Sequence, residues 1–187
     1  MKRVLWTCLV VLILAGAAFP AGASTFLALT QDQLVAQSDA VVQGEVLQVN
    51  SFWTKSGRVI ASEAIIRVTD TIVGESPSVL VVKTFGGTVG GYTVVAHGFP
   101  QFNAGDHVLL FVQNQADGTV EVTGYRQGQY RVAFENGMEK AIPTVEGGVS
   151  LLLPNGRLAP RPAAMALETF KDQIRDRAER VRPMINQ

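Results

Sequence analysis

Cysteine is all but missing from this chain. The single one, Cys8, sits in a short apolar stretch near the start, so residues 24–187 contain no thiol. That excludes from them a disulfide, a thiol nucleophile and a thiolate metal site. Histidine is nearly as scarce, with only His97 and His107. They show neither the helical spacing nor the cysteine pairs typical of zinc sites, and Asp106 beside His107 points to the opposite face of a strand. No metal is expected. Charge has no excess of either sign, with 16 Lys and Arg against 16 Asp and Glu. A chain so balanced offers no broad field to a polyanion, so nucleic acid is not an expected partner.

Catalytic and cofactor motifs are missing too. Neither Gly-x-Ser-x-Gly nor His-Glu-x-x-His occurs. The glycine cluster Gly86-Gly87-Thr88-Val89-Gly90-Gly91 lacks the Gly-Lys-Ser/Thr of a phosphate loop, and Tyr92-Thr93-Val94-Val95 after it is strand sequence rather than a helix start. No downstream acid is placed to bind a ribose. No cofactor is expected, and the glycines read as a turn at a sheet rim. Paired carboxylates depend on distance in space, so a secreted hydrolase using acids assembled by folding stays open as an alternative. A passive envelope-structural protein is a third reading.

What is present begins with a leader. Lys2 and Arg3 precede an apolar run over residues 4–18, and Pro20 and Ala21-Gly22-Ala23 follow. This order is that of a secretory signal peptide cleaved after Ala23. The run is shorter than the ~20 residues that a membrane-spanning helix needs, so no span is expected after cleavage. Cys8 lies well before the exit, which disfavours a lipid-anchored lipoprotein. Two of the 16 basic residues leave with the leader, so residues 24–187 carry 14 against 16 acids, a formal charge of −2. The 164 residues that remain suit one domain with a full core that needs no disulfides. A cysteine-free exported domain fits a bacterial periplasmic or extracellular protein.

Thr30 is placed to cap a short helix over 31–37, with Asp32 in its first turn and Leu34 and Val35 on its apolar side. Strands are expected over 40–49, 58–72, 79–82, 92–96, 107–112, 119–123, 129–134, 138–142 and 149–153. Asp117-Gly118 and Asn136-Gly137 are hairpin dipeptides, and Asn155-Gly156 marks a further turn. Many short strands with tight turns indicate a barrel or sandwich. After Pro160 and Pro162, the residues Leu167, Phe170, Ile174, Ala178 and Val181 form one apolar stripe. They predict an amphipathic helix over 162–181, stopped by Pro183, with Glu168, Lys171, Asp172 and Arg175 on a solvated face.

The segment 85–106 is the candidate functional surface. It places Tyr92, His97, Phe99 and Phe102 among glycines, and aromatic rings on a sheet rim bury partner area at low entropy cost. The competing reading folds Phe99 and Phe102 back as a plug in the barrel mouth.

Several of these residues carry a resemblance. Ser38-Asp39-Ala40-Val41-Val42-Gln43-Gly44-Glu45-Val46, the strand end Val68-Thr69-Asp70-Thr71-Ile72-Val73-Gly74, and Phe102-Asn103-Ala104-Gly105-Asp106-His107-Val108-Leu109-Leu110-Phe111 resemble motifs of a group of uncharacterised exported bacterial proteins. More distantly, the strand order is similar to the netrin-like, OB-type barrel of tissue metalloproteinase inhibitors. The resemblance implies that barrel. It does not bring the inhibitory wedge, which needs an N-terminal cysteine where this chain has Ser24.

The expectation is a mainly β, OB-like antiparallel barrel with a short N-terminal helix and a C-terminal amphipathic helix, in one domain over 24–187. Its expected role is a non-enzymatic binding module of the cell envelope whose partner is a secreted or envelope protein.

Overall fold

The computed structural model describes residues 24–145 and 149–185, with the side chains of 182–185 left aside. The leader, its cleavage site and Cys8 lie outside the described residues. The chain is mainly β, with a closed five-stranded barrel and two helices. In order, the elements are β1 (Ser24–Leu27), α1 (Gln31–Gln37), β2 (Ala40–Trp53), β3 (Ile60–Val73), β4 (Val79–Phe85), β5 (Gly87–Val89), β6 (Tyr92–Val94), β7 (His107–Asn114) and β8 (Val120–Val122). A 3-10 turn (Tyr125–Gly128), β9 (Gln129–Glu135), β10 (Met138–Pro143), β11 (Val149–Leu152), β12 (Met165–Ala166) and α2 (Leu167–Ile185) complete it.

The barrel closes through β2–β3–β4–β8–β7 and back to β2. A ring of five strands cannot alternate direction throughout. The parallel contact falls between β4 and β8, at Val82 and Val120, while the other junctions are antiparallel. This is the OB-like arrangement. Strand β2 reaches round it by coiling, with register shifts at Val41/Val42, Gln43/Gly44 and Val46/Gln48. Gly44 permits a close approach of β3, because a Cβ there would stand 2.5 Å from the Arg67 carbonyl oxygen.

Strand β7 belongs to two layers at once. Val112–Asn114 pair with β8 inside the ring, whereas Val108–Leu110 pair with β9, which continues the sheet to β10 and β12. Its side chains alternate accordingly. Val108, Leu110 and Val112 fill the barrel with Val42, Val46 and Ile66. Leu109 and Phe111 face the helices and meet Leu34, Tyr130, Phe170 and Ile174. Two cores therefore share β7, as they do β2 and β3.

The Thr30 cap forms a full capping box: its hydroxyl accepts from Gln33 N at 3.2 Å, and the Gln33 side chain accepts from Thr30 N at 2.8 Å. The apolar stripe of α2 is buried as expected through Ala178. The helix begins at Leu167 rather than 162, and runs past Pro183 to Ile185. Pro160 and Pro162 lack donors and disfavour helix in the residue before each, and Met165–Ala166 pair with β10 instead. Lys171 also departs from expectation, since it is not on a solvated face. Its side chain is 8 % exposed and its Nζ lies 3.0 Å from Asp70 of β3 and 3.1 Å from Glu168. Its partner Asp70 comes from the fold, on β3, not from its place on the helix wheel.

Candidate binding rim

The barrel interior is filled at its mouth by Phe102, which is 8 % exposed and packs among the core side chains. The strap leading to it is held along its backbone. Four successive carbonyls accept hydrogen bonds: Gly98 from Arg126 N at 3.0 Å, Phe99 from Arg126 Nε at 3.0 Å, Pro100 from Thr84 Oγ1 at 2.8 Å and Gln101 from Gln129 Nε2 at 2.6 Å. Arg126, Thr84 and Gln129 are all buried, so these bonds are shielded from competing water.

Before the strap the glycine cluster forms a hairpin. β5 pairs with β6 across Gly90-Gly91, whose φ angles of 55° and 87° suit the hairpin turn. β6 ends at Val94 rather than 96, because the chain turns there and Phe99 N donates to Ala96 O. Between hairpin and strap lies a cleft of about 440 Å³. Its polar lining is hydroxyl and amide, including Ser51, Ser62, Thr84, Thr88, Gln101 and Asn103, and among the described residues no charged side chain lines it. Several of these hydroxyls already satisfy one another or a carbonyl, as in Ser51 with Ser62 at 2.8 Å and Ser62 with Gly86 O at 2.7 Å.

Apart from Phe134 on β9, which is 73 % exposed, the exposed aromatics among the described residues gather in two places. Tyr92, 68 % exposed, stands edge-on to Trp53 with ring centres 6.0 Å apart. Phe99 is half-buried in a row that runs Phe85, Phe99, Tyr125, Phe26, with successive centres 5.2, 4.8 and 5.2 Å apart. Tyr125 is 43 % exposed and holds a φ of 59°, a left-handed conformation that costs a bulky residue of order 1–3 kcal/mol. The surrounding fold holds it there: Arg126 N is fixed to the strap, and Gly124 before it is itself left-handed at φ 65°. Next to the row, Val79, Val81 and Phe85 leave an exposed apolar stripe on the outer face of β4.

The four residues singled out in the sequence therefore separate. Tyr92 joins the hairpin pair, Phe99 joins the row, His97 is exposed between them, and Phe102 belongs to the barrel core. Sequence reasoning missed Trp53, Phe85, Tyr125 and Phe26. A signal for two of them was present: Phe85-Gly86 and Gly124-Tyr125, like Gly91-Tyr92 and Gly98-Phe99, set an aromatic residue beside a glycine of positive φ. Asp106 is engaged locally, its carboxylate accepting from Asn103 N at 2.7 Å. Among the described residues, no three His, Cys, Asp or Glu side chains stand close enough to hold a metal ion. Neither a scan of protein-family models nor a search of curated proteins finds a match to this chain.

Proposed function

We propose that this protein is an exported, non-enzymatic binding module of the bacterial envelope, whose partner is a secreted or envelope protein lying across the aromatic rim. The observation that carries the reading is the row Phe85–Phe99–Tyr125–Phe26, kept partly exposed at the end of a barrel whose interior is already filled. Rings left partly exposed at a surface retain area for a partner, and aromatic anchors dominate such contacts. The strain at Tyr125 supports a role beyond packing. OB barrels take extended ligands along one face, and here the outer face of β4 presents Val79 and Val81, although fold by itself does not give function.

Export is supported by Lys2-Arg3, the apolar run and Ala21-Gly22-Ala23, and by the resemblance to exported bacterial proteins. Among the described residues no helix is long and apolar enough to cross a membrane. Affinity capture from the native envelope tests the reading, comparing the protein with the double variant Phe99→Ala, Tyr125→Ala. Recovery of the partner drops about tenfold or more in the variant, with thermal unfolding showing it still folded. Equal recovery by both proteins overturns the proposal.

A further inference from the structure

We infer that the groove holding β1 is a peptide seat, built to take an extended polypeptide segment with an aromatic side chain, and filled in cis by the chain's own strand. The inference rests on the binding-module reading and names the partner's form: a strand, entering beside β11 at the end of the aromatic row.

Three contacts define the seat. β1 runs parallel to β11, with Ser24 opposite Val149 and Leu27 opposite Leu152, and Ala28 N donates to Leu152 O at 2.7 Å. On the chain just beyond, Gln127 pairs with it as a strand's backbone would. Its Nε2 donates to Leu27 O at 3.0 Å and its Oε1 accepts from Leu29 N at 2.8 Å. The third contact is the ring of Phe26, which lies directly on Gly98. A Cβ at Gly98 would stand 2.2 Å from Phe26 Cε2, so only glycine leaves room for the ring there. The same ring is the last member of the row, 5.2 Å from Tyr125.

The chemistry of recognition follows from these contacts. The hydrogen bonds go to backbone groups and so accept many sequences, while one side chain, the ring at the position of Phe26, is read by shape. Backbone pairing with alternate side-chain pockets is how strand addition works. The hold on β1 is slight. None of its residues is fully buried, and Leu27 is 68 % exposed. Segments with few buried contacts open at low free energy, so β1 can leave while both cores stay intact. While in place it competes with any outside strand at the high effective concentration of a tethered ligand.

The test uses the purified protein and a fluorescein-labelled peptide of the chain's own seat-filling sequence, Ser-Thr-Phe-Leu-Ala-Leu, followed by fluorescence anisotropy. Phe26→Ala weakens the tethered competitor, and the variant binds the peptide about tenfold tighter or more than the unaltered protein. Adding Gln127→Ala to that variant abolishes the gain, and a peptide with alanine in place of phenylalanine does not bind. Equal binding by the unaltered protein and Phe26→Ala overturns the proposal. So does absence of binding to a Phe26→Ala protein whose circular dichroism and thermal unfolding match the original. Should the seat fail while capture of the envelope partner still depends on Phe99 and Tyr125, the strand proposal falls and the binding-module reading stands. Peptide binding with no such dependence gives the opposite outcome.

Discussion

Tyr130 shows how one residue ties the helix-side core to pH. Its ring lies 4.6 Å from Phe170 and 6.1 Å from Phe111, centre to centre, and burial pushes its phenol up to about 12. A phenol that holds its proton more tightly when folded stabilises the fold fully below its unfolded value near 10. That contribution is lost as pH rises from about 10 to about 12, a change of order 3 kcal/mol. Lys171 acts in the same direction. Burial by itself pulls its ammonium down, but hydrogen bonds and charge from Asp70 and Glu168 outweigh burial and leave it raised. Its stabilisation is present below the ordinary lysine value and is lost as pH climbs through the folded one. Tyr130→Phe keeps the ring and removes the titrating group, so its unfolding midpoint in urea should fall less steeply between pH 10 and 12 than that of the original protein. An unchanged slope would show that Tyr130 is not buried as described.

At the scale of elements, the sequence was most legible where local chemistry decides the outcome. Thr30 and Gln33 announce α1, Asn136-Gly137 gives a hairpin with φ of 55° and 81°, and the stripe from Leu167 to Ala178 marks the buried face of α2. The long strands were found, with β2 cut short. β2 continues to Trp53 and β4 to Phe85, because pairing with β3 carries both beyond their β-branched stretches, while β3 spans Ile60–Val73 against the expected 58–72. Strand β1 was invisible. Its four residues show no pattern of their own, and pairing with β11 is settled only when distant parts of the chain meet. The rim was half legible for the same reason: glycine-flanked aromatics stand out, but which rings touch depends on the strap and on β8 closing the barrel. Packing of α2 carries a direct prediction. Phe170→Ala empties the space between Phe111 and Tyr130 and should cost about 3–5 kcal/mol in chemical denaturation. A loss below about 1 kcal/mol would mean that α2 is not fastened to the sheet through this ring.

For the whole molecule, division of labour follows from β7 lying between two cores. The helices cover one face of the sheet, and the barrel is filled from within by Phe102, Leu110 and Ile66. At one end of the barrel the hairpin, strap, 3-10 turn and β1 each bring an aromatic side chain, Tyr92, Phe99, Tyr125 and Phe26. Residues 24–187, without cysteine, hold that end in place by packing and hydrogen bonds alone. Site-specific photo-crosslinking in the native envelope tests this account most directly, with a photoreactive phenylalanine analogue at Phe99 or Tyr125 and, as control, at exposed Glu139 on β10. The account predicts one shared crosslinked species from positions 99 and 125 that is missing from 139. The same crosslinks from all three positions, or none from 99 and 125, would contradict it.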